Sequence, residues 1–158
     1  MTDNYIGIMI ESLRRKKDVL TDILKLSEEQ SLLLDDPNLE PDTFEKNVNR
    51  KAALIEKLEQ LDTGFESLYD KVKEELESNR DIHKEQIRQM QELIRALTEL
   101  NMQIQATEAR NKEKATAKFA YIRQQAKEIR SSQKIVKEYY NNMMHKVYNE
   151  PHFLDNKK

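Results

Sequence analysis

Glycine and proline are nearly absent from this chain, with two of the first and three of the second in 158 residues. These residues break regular structure, so their scarcity directs the chain into long uninterrupted helices. Glu, Lys, Gln, Leu, Ala and Arg, all good helix formers, are abundant. Trp is absent and aromatics make up 6% of the chain, too few for a large globular core. The expected fold is all-α: an antiparallel bundle of three to four long helices with thin, coiled-coil-like apolar seams. The length suits one domain.

The apolar spacing divides the chain. Ile6, Met9, Ile10, Leu13, Leu20, Ile23, Leu24 and Leu34 recur in steps of three and four, apart from gaps at 13–20 and 24–34, and predict a helix from about Asp3 to Leu34. Pro37 and Pro41 break it. A second helix starts near Pro41-Asp42, with Asp42 or Thr43 as its expected cap. Phe44, Val48, Ile55, Leu58, Phe65, Tyr69, Val72 and Leu76 form its stripe, with Lys51 and Asp62 in the gaps. Gly64 falls inside this stripe, which keeps its phase on both sides. The expectation there is a close helix approach or a mild kink. A reversal at Ser78-Asn79-Arg80-Asp81 leads to a third helix carrying Ile82, Ile87, Met90, Leu93, Ile94, Leu97, Leu100 and Ile104. Beyond Ile104 the apolar density falls. Two readings stay open: a joint at Asn111, or one very long helix. We divide the chain into a body (1–111), a basic amphipathic C-terminal helix (112–150) and a loose tail (151–158).

That C-terminal helix has its own stripe. Phe119, Ile122, Ala126, Ile129, Val136, Tyr140, Met143 and Val147 fall on one line at spacings of three, four or seven, interrupted only by Gln133. A helix with such a face is covered either by its own body or by a partner. Tyr139-Tyr140 and Met143-Met144 add amphipathic, adaptable surface of the kind used at recognition sites.

Charge is uneven. Residues 1–111 hold 16 Lys and Arg against 24 Asp and Glu, whereas residues 112–137 hold eight basic residues against Glu113 and Glu128. The bland reading of this basic run is a solvated face, or one turned toward the acidic body. It lacks the patterned aromatics of a base-stacking platform, and the whole chain carries −2, so no nucleic-acid partner is expected.

The residues for other chemistries are missing. There is no Cys for a disulfide, zinc thiolate or nucleophile. His83, His145 and His152 have no metal-pair spacing, and Gly7 and Gly64 stand alone rather than in a phosphate loop. We expect no catalytic residues, no metal and no cofactor. No apolar run is long enough to span a membrane, and the N-terminus does not read as a signal peptide. A cytoplasmic protein is expected.

The order of elements resembles a known group. A long first helix and a short acidic, Pro-containing turn precede Lys51-Ala-Ala-Leu-Ile-Glu-Lys-Leu-Glu-Gln-Leu-Asp62 and Asp62-Thr-Gly-Phe-Glu-Ser-Leu-Tyr69. Leu97-Thr-Glu-Leu-Asn-Met-Gln-Ile-Gln-Ala-Thr-Glu-Ala-Arg-Asn111 follows, and the tail ends in Pro151-His-Phe-Leu-Asp155-Asn-Lys-Lys. Across nearly its whole length the chain is similar to the FlgN/FliT-like flagellar export chaperones. The resemblance implies a small cytoplasmic protein of the flagellar type III secretion system. Its partners would be a late export substrate and the export apparatus, with a homodimer as a further option. FlgN-type members hold hook–filament junction proteins, and FliT-type members the filament cap protein. The cargo-binding part of the family corresponds here to the stripe from Phe119 to Val147. The alternative is a structural coiled-coil protein that self-associates through the same stripe.

Overall fold

The computed structural model describes residues 2–125 and 137–141, with side chains for 4–121 and 137–141. Three helices make up the body: α1 (Thr2–Asp35), α2 (Pro41–Ser78) and α3 (Lys84–Gln125). Their 34, 38 and 42 residues make rods of about 51, 57 and 63 Å. They form an antiparallel all-α bundle.

Proline chemistry sets the first reversal. α1 stops at Asp35, and Asp36 then organises the turn: its carboxylate accepts from Asn38 N (2.8 Å) and its carbonyl from Leu39 N (3.3 Å). Glu40 precedes a proline and is therefore extended (φ −85°, ψ 134°). That makes Glu40 the N-cap and puts Pro41 at the first helical position, where its missing N–H costs nothing. The expected cap at Asp42 or Thr43 is thus displaced by two to three residues. Asp42 instead lies in the first turn, where its charge meets the positive end of the helix dipole. The second reversal needs neither Pro nor Gly. Asn79 closes α2 by donating to Glu75 O (2.9 Å), and Ile82 N and His83 N both return to Asn79 O. Ile82, expected on the third helix, is therefore in the turn and 72% exposed.

α1 is the shared neighbour. It packs along both α2 and α3, whereas the backbones of α2 and α3 scarcely meet. Ile6, Met9, Leu13, Leu20 and Ile23 of α1 meet Val48, Ile55, Leu58, Phe65 and Val72 of α2 and Met90, Leu97 and Ile104 of α3 in one core. Phe44 and Phe119 close one end edge to face, with centroids 5.7 Å apart. Toward the other end the splay leaves a cavity of about 220 Å³ between Phe65, Tyr69 and Leu76 of α2 and Ile87, Met90 and Ile94 of α3.

At two positions the structure chooses among the alternatives left by the sequence. Nothing lies within 4 Å of where a Cβ on Gly64 would sit, so no helix approaches it closely. Asn111 is no joint: it is buried inside the unbroken α3, and its amide donates to Ser27 O (2.8 Å) and Gln30 Oε1 (3.2 Å). Of the two readings left open at this point, the long helix is the one observed, as far as Gln125.

Candidate functional site

The apolar seam is interrupted, toward the end that Phe44 and Phe119 close, by a polar node. Lys51 of α2 and Glu108 of α3 form an ion pair of 2.5 Å with both side chains at 0% exposure. Both stand on the inward faces of their helices, so neither charge can reach water. Each is instead held by neighbours from α1. The Ser27 hydroxyl donates to Glu108 Oε1, and Lys51 Nζ donates to Gln30 Oε1 at 3.0 Å. The rest of Gln30 is fixed in turn: its amide donates to Asn47 Oδ1 (3.1 Å), and Asn47 donates to Leu26 O (2.9 Å). A buried pair survives only when such hydrogen bonds offset its desolvation.

Residues 137–141 complete the node. They are helical, with Tyr139 and Tyr140 buried and Lys137, Glu138 and Asn141 exposed. The Tyr139 ring centroid lies 4.9 Å from Lys51 Nζ, and that of Tyr140 lies 5.7 Å away. Both are within reach of the ammonium's attraction to a ring face. The Tyr140 hydroxyl donates to Gln30 Oε1. That one carbonyl oxygen thus receives donors from Lys51, Asn111 and Tyr140.

Burial and charge shift the titrations here. Desolvation holds the Lys51 ammonium below its ordinary range, with Glu108 pulling the other way. Burial, reinforced by the charge of Glu108, pushes both tyrosine phenols well above theirs. Some polar atoms remain stranded. Tyr139 Oη, Glu108 Oε2 and Asn111 Oδ1 are buried without a hydrogen-bond partner among the described residues.

Part of the basic run has a structural task. α1 has no basic residue in its last turn. Lys114 fills that role from α3, bonding Asp35 Oδ2 (2.9 Å) and Ser31 Oγ (2.8 Å), while Lys118 donates to Asp36 O (2.5 Å). Cations at a helix C-terminus satisfy carbonyls and complement the dipole.

A family model described as FlgN protein matches residues 1–144. The chain belongs to the FlgN family. It is thus an export chaperone of flagellum assembly and type III export, from a family that binds flagellar export substrates. No curated protein and no solved structure matches the chain. Among the described residues of this FlgN chaperone, no helix is long and apolar enough to cross a membrane. No group of three His, Asp or Glu among them could hold a metal.

The structure places two residues of the C-terminal stripe inside the FlgN body. Phe119 packs on Phe44, and Tyr140 is 1% exposed in the polar node. Ile122 lies on α3, its side chain outside the described set. Ala126, Ile129, Val136, Met143 and Val147 lie outside the described residues. The node itself escaped the sequence reading, although its positions were visible as interruptions. Lys51 sits in the gap of the α2 stripe, and Ser27 and Gln30 fall in the 24–34 gap of α1. A polar residue in phase with an apolar stripe was the available signal.

Proposed function

We propose that this chaperone holds the C-terminal helical region of a hook–filament junction protein in the cytoplasm, prevents its premature assembly and delivers it to the export apparatus. The contact surface in this reading is the stripe Phe119, Ile122, Ala126, Ile129, Val136, Tyr140, Met143 and Val147. Membership of the FlgN family carries the reading. An amphipathic cargo helix would lay its apolar face along the stripe, and the basic residues not tied to α1 would steer an acidic partner.

The test is size-exclusion chromatography with light scattering. Full-length chain is mixed with the C-terminal region of a hook–filament junction protein or, separately, of a filament cap protein. A stoichiometric complex with the first is expected. The double variant Ile129→Asp/Val136→Asp should lose that complex while its helix content stays that of the parent chain. Complex formation with the cap protein alone would reassign the cargo. Stable self-association without any complex would favour the structural coiled coil. Unfolding of the double variant would make those residues core and refute the site.

A further inference from the structure

The apolar faces of this bundle repeat with a period that does not tell one register from the next. Ile6, Leu13 and Leu20 of α1, Leu58, Phe65 and Val72 of α2, and Met90, Leu97 and Ile104 of α3 all recur at seven residues, and all lie in the core. Sliding α3 by one heptad, about 10 Å, puts Leu97 in the seat of Met90 or of Ile104 and still leaves large apolar side chains in contact. The first turn resists such a slide between α1 and α2, because Pro37 and Pro41 pin its ends. The second turn has neither Pro nor Gly, so the ends of α2 and α3 there can wind or unwind to follow.

The polar residues break this degeneracy. Ser27 continues the heptad line of α1, Lys51 that of α2 and Asn111 that of α3. All three meet at Glu108 or beside it: Ser27 and Lys51 donate to its carboxylate, and Asn111 donates to Ser27 O and Gln30. One heptad before Glu108 stands Asn101, also 0% exposed, with both amide atoms unpartnered among the described residues. The spacing that sets Ser27 and Lys51 against Glu108 puts Leu20 and Leu58 at the level of Asn101, and neither offers a hydrogen bond. A slide that carried Asn101 to the seat of Glu108 would give its amide partners. It would also leave Lys51 without an anion and push Glu108 to the seat of Ala115. The opposite slide would bring Ala115 to Lys51 and leave Glu108 between Leu20 and Leu58. Either slide keeps two charges buried and apart, which is strongly destabilising. Lys114 and Lys118 mark the same register at the end of α1, but their partners there are exposed, where such contacts are worth little.

We propose that the Lys51–Glu108 pair is the register key of the bundle: it fixes how far α3 lies along α1 and α2, a choice the apolar faces leave open. A buried polar position selects register in coiled coils in the same way. Because α3 carries Phe119 and the first residues of the basic run, the key also sets where that surface stands on the body. The role is separate from stability, since a chain without either charge strands nothing and still loses its preference for one register.

The sharpest test moves the charge by one heptad. Asn101→Glu/Glu108→Asn keeps the composition nearly unchanged and places the anion seven residues earlier on α3. Nitroxides on Asp18→Cys of α1 and Ala120→Cys of α3, both exposed sites, report the register in the full chain, which has no cysteine of its own. Double electron–electron resonance should give one distance in the parent chain. In the exchange variant it should give one about 10 Å longer, as α3 slides to return its carboxylate to Lys51. In Lys51→Met/Glu108→Leu neither register strands a charge. A second distance should then appear beside the parent one, its share raised by roughly a hundredfold or more, the factor that an unpaired buried charge imposes. An exchange variant that folds and keeps the parent distance would overturn the proposal, with the core or the second turn then setting the register. Where the exchange variant does not fold, Lys51→Met/Glu108→Leu decides. Two distances there uphold the key, and the parent distance alone, with helix content unchanged, overturns it.

Discussion

Lys51→Met tests the central energetic claim, that the node is a desolvated charge pair. The substitution keeps most of the side-chain volume and removes the ammonium. Glu108 then remains at 0% exposure with the Ser27 hydroxyl as its remaining donor, and Gln30 loses one of three donors. Removing one member of a buried pair costs about 3–5 kcal/mol, because the survivor's charge is left unpaired. For a chain of 158 residues each kcal/mol moves Tm by about 2–4 °C, so Lys51→Met should lower Tm by roughly 6–20 °C. Glu108→Leu should cost a comparable amount by stranding Lys51. The double variant Lys51→Met/Glu108→Leu removes both charges together. It should return to within about 1 kcal/mol of the parent chain, or exceed it. Urea unfolding followed by circular dichroism at matched pH gives the four free energies, and the cycle gives the coupling. A single-variant cost below about 1 kcal/mol would mean that water reaches the pair. A double variant as costly as the two singles summed would mean that Lys51 and Glu108 act independently. Either result refutes the account of the node.

Other predictions follow from packing and titration. Gly7→Ala and Gly64→Ala should each stabilise the chain by about 1 kcal/mol in thermal melts, since both glycines are helical and exposed and an added Cβ meets nothing within 4 Å. Alkali should unseat Tyr139 and Tyr140 from the polar node. The docked Tyr139 and Tyr140 hold their protons above the ordinary phenol range near 10, so their contribution is complete below that pH. It is lost as pH rises beyond it, by about 1.4 kcal/mol per unit per phenol. Lys51 acts with the opposite sign, since its lowered value makes folding more favourable as pH climbs toward 10.5 and contributes nothing further above it. In a tyrosinate absorbance titration, part of the absorbance change should come above the ordinary phenol range. A titration complete within that range would refute the burial of the pair.

Most of the body was legible because the core repeats with the helix. The α1 stripe from Ile6 to Leu34 is buried as its spacing demanded, with Leu24 half-covered, and the Pro37–Pro41 break lies where proline chemistry requires. The second reversal was found from Ser78-Asn79-Arg80-Asp81 to within a few residues. What escaped was tertiary. Lys51 and Asp62 were read as gaps in a stripe, and each is an ion-pair partner: Lys51 for Glu108, Asp62 for the buried Lys16. Local spacing shows that a polar residue points inward, but its mate is set by the register of a helix far along the chain. The same holds for Lys114 and Lys118. Their charge was evident, whereas their position beside the end of α1 follows from the length of α3. At Gly64 a close helix approach or a mild kink was expected, and no neighbour comes near enough for the first.

The central place of α1 has a consequence for the order in which the molecule comes together. α2 and α3 are joined chiefly through the first helix, so an isolated α2–α3 segment has little surface to close on. The ribosome delivers α1 first, and α2 can fold back on it at once through a five-residue turn. Until α3 arrives, Lys51 faces solvent and needs no counter-charge. The charge is thus taken out of water only in the step that brings Glu108 to it, and the nascent chain never carries a lone ion in a finished core. Loss of α1 would undo both interfaces, whereas loss of α3 would leave a hairpin with a hydrated lysine.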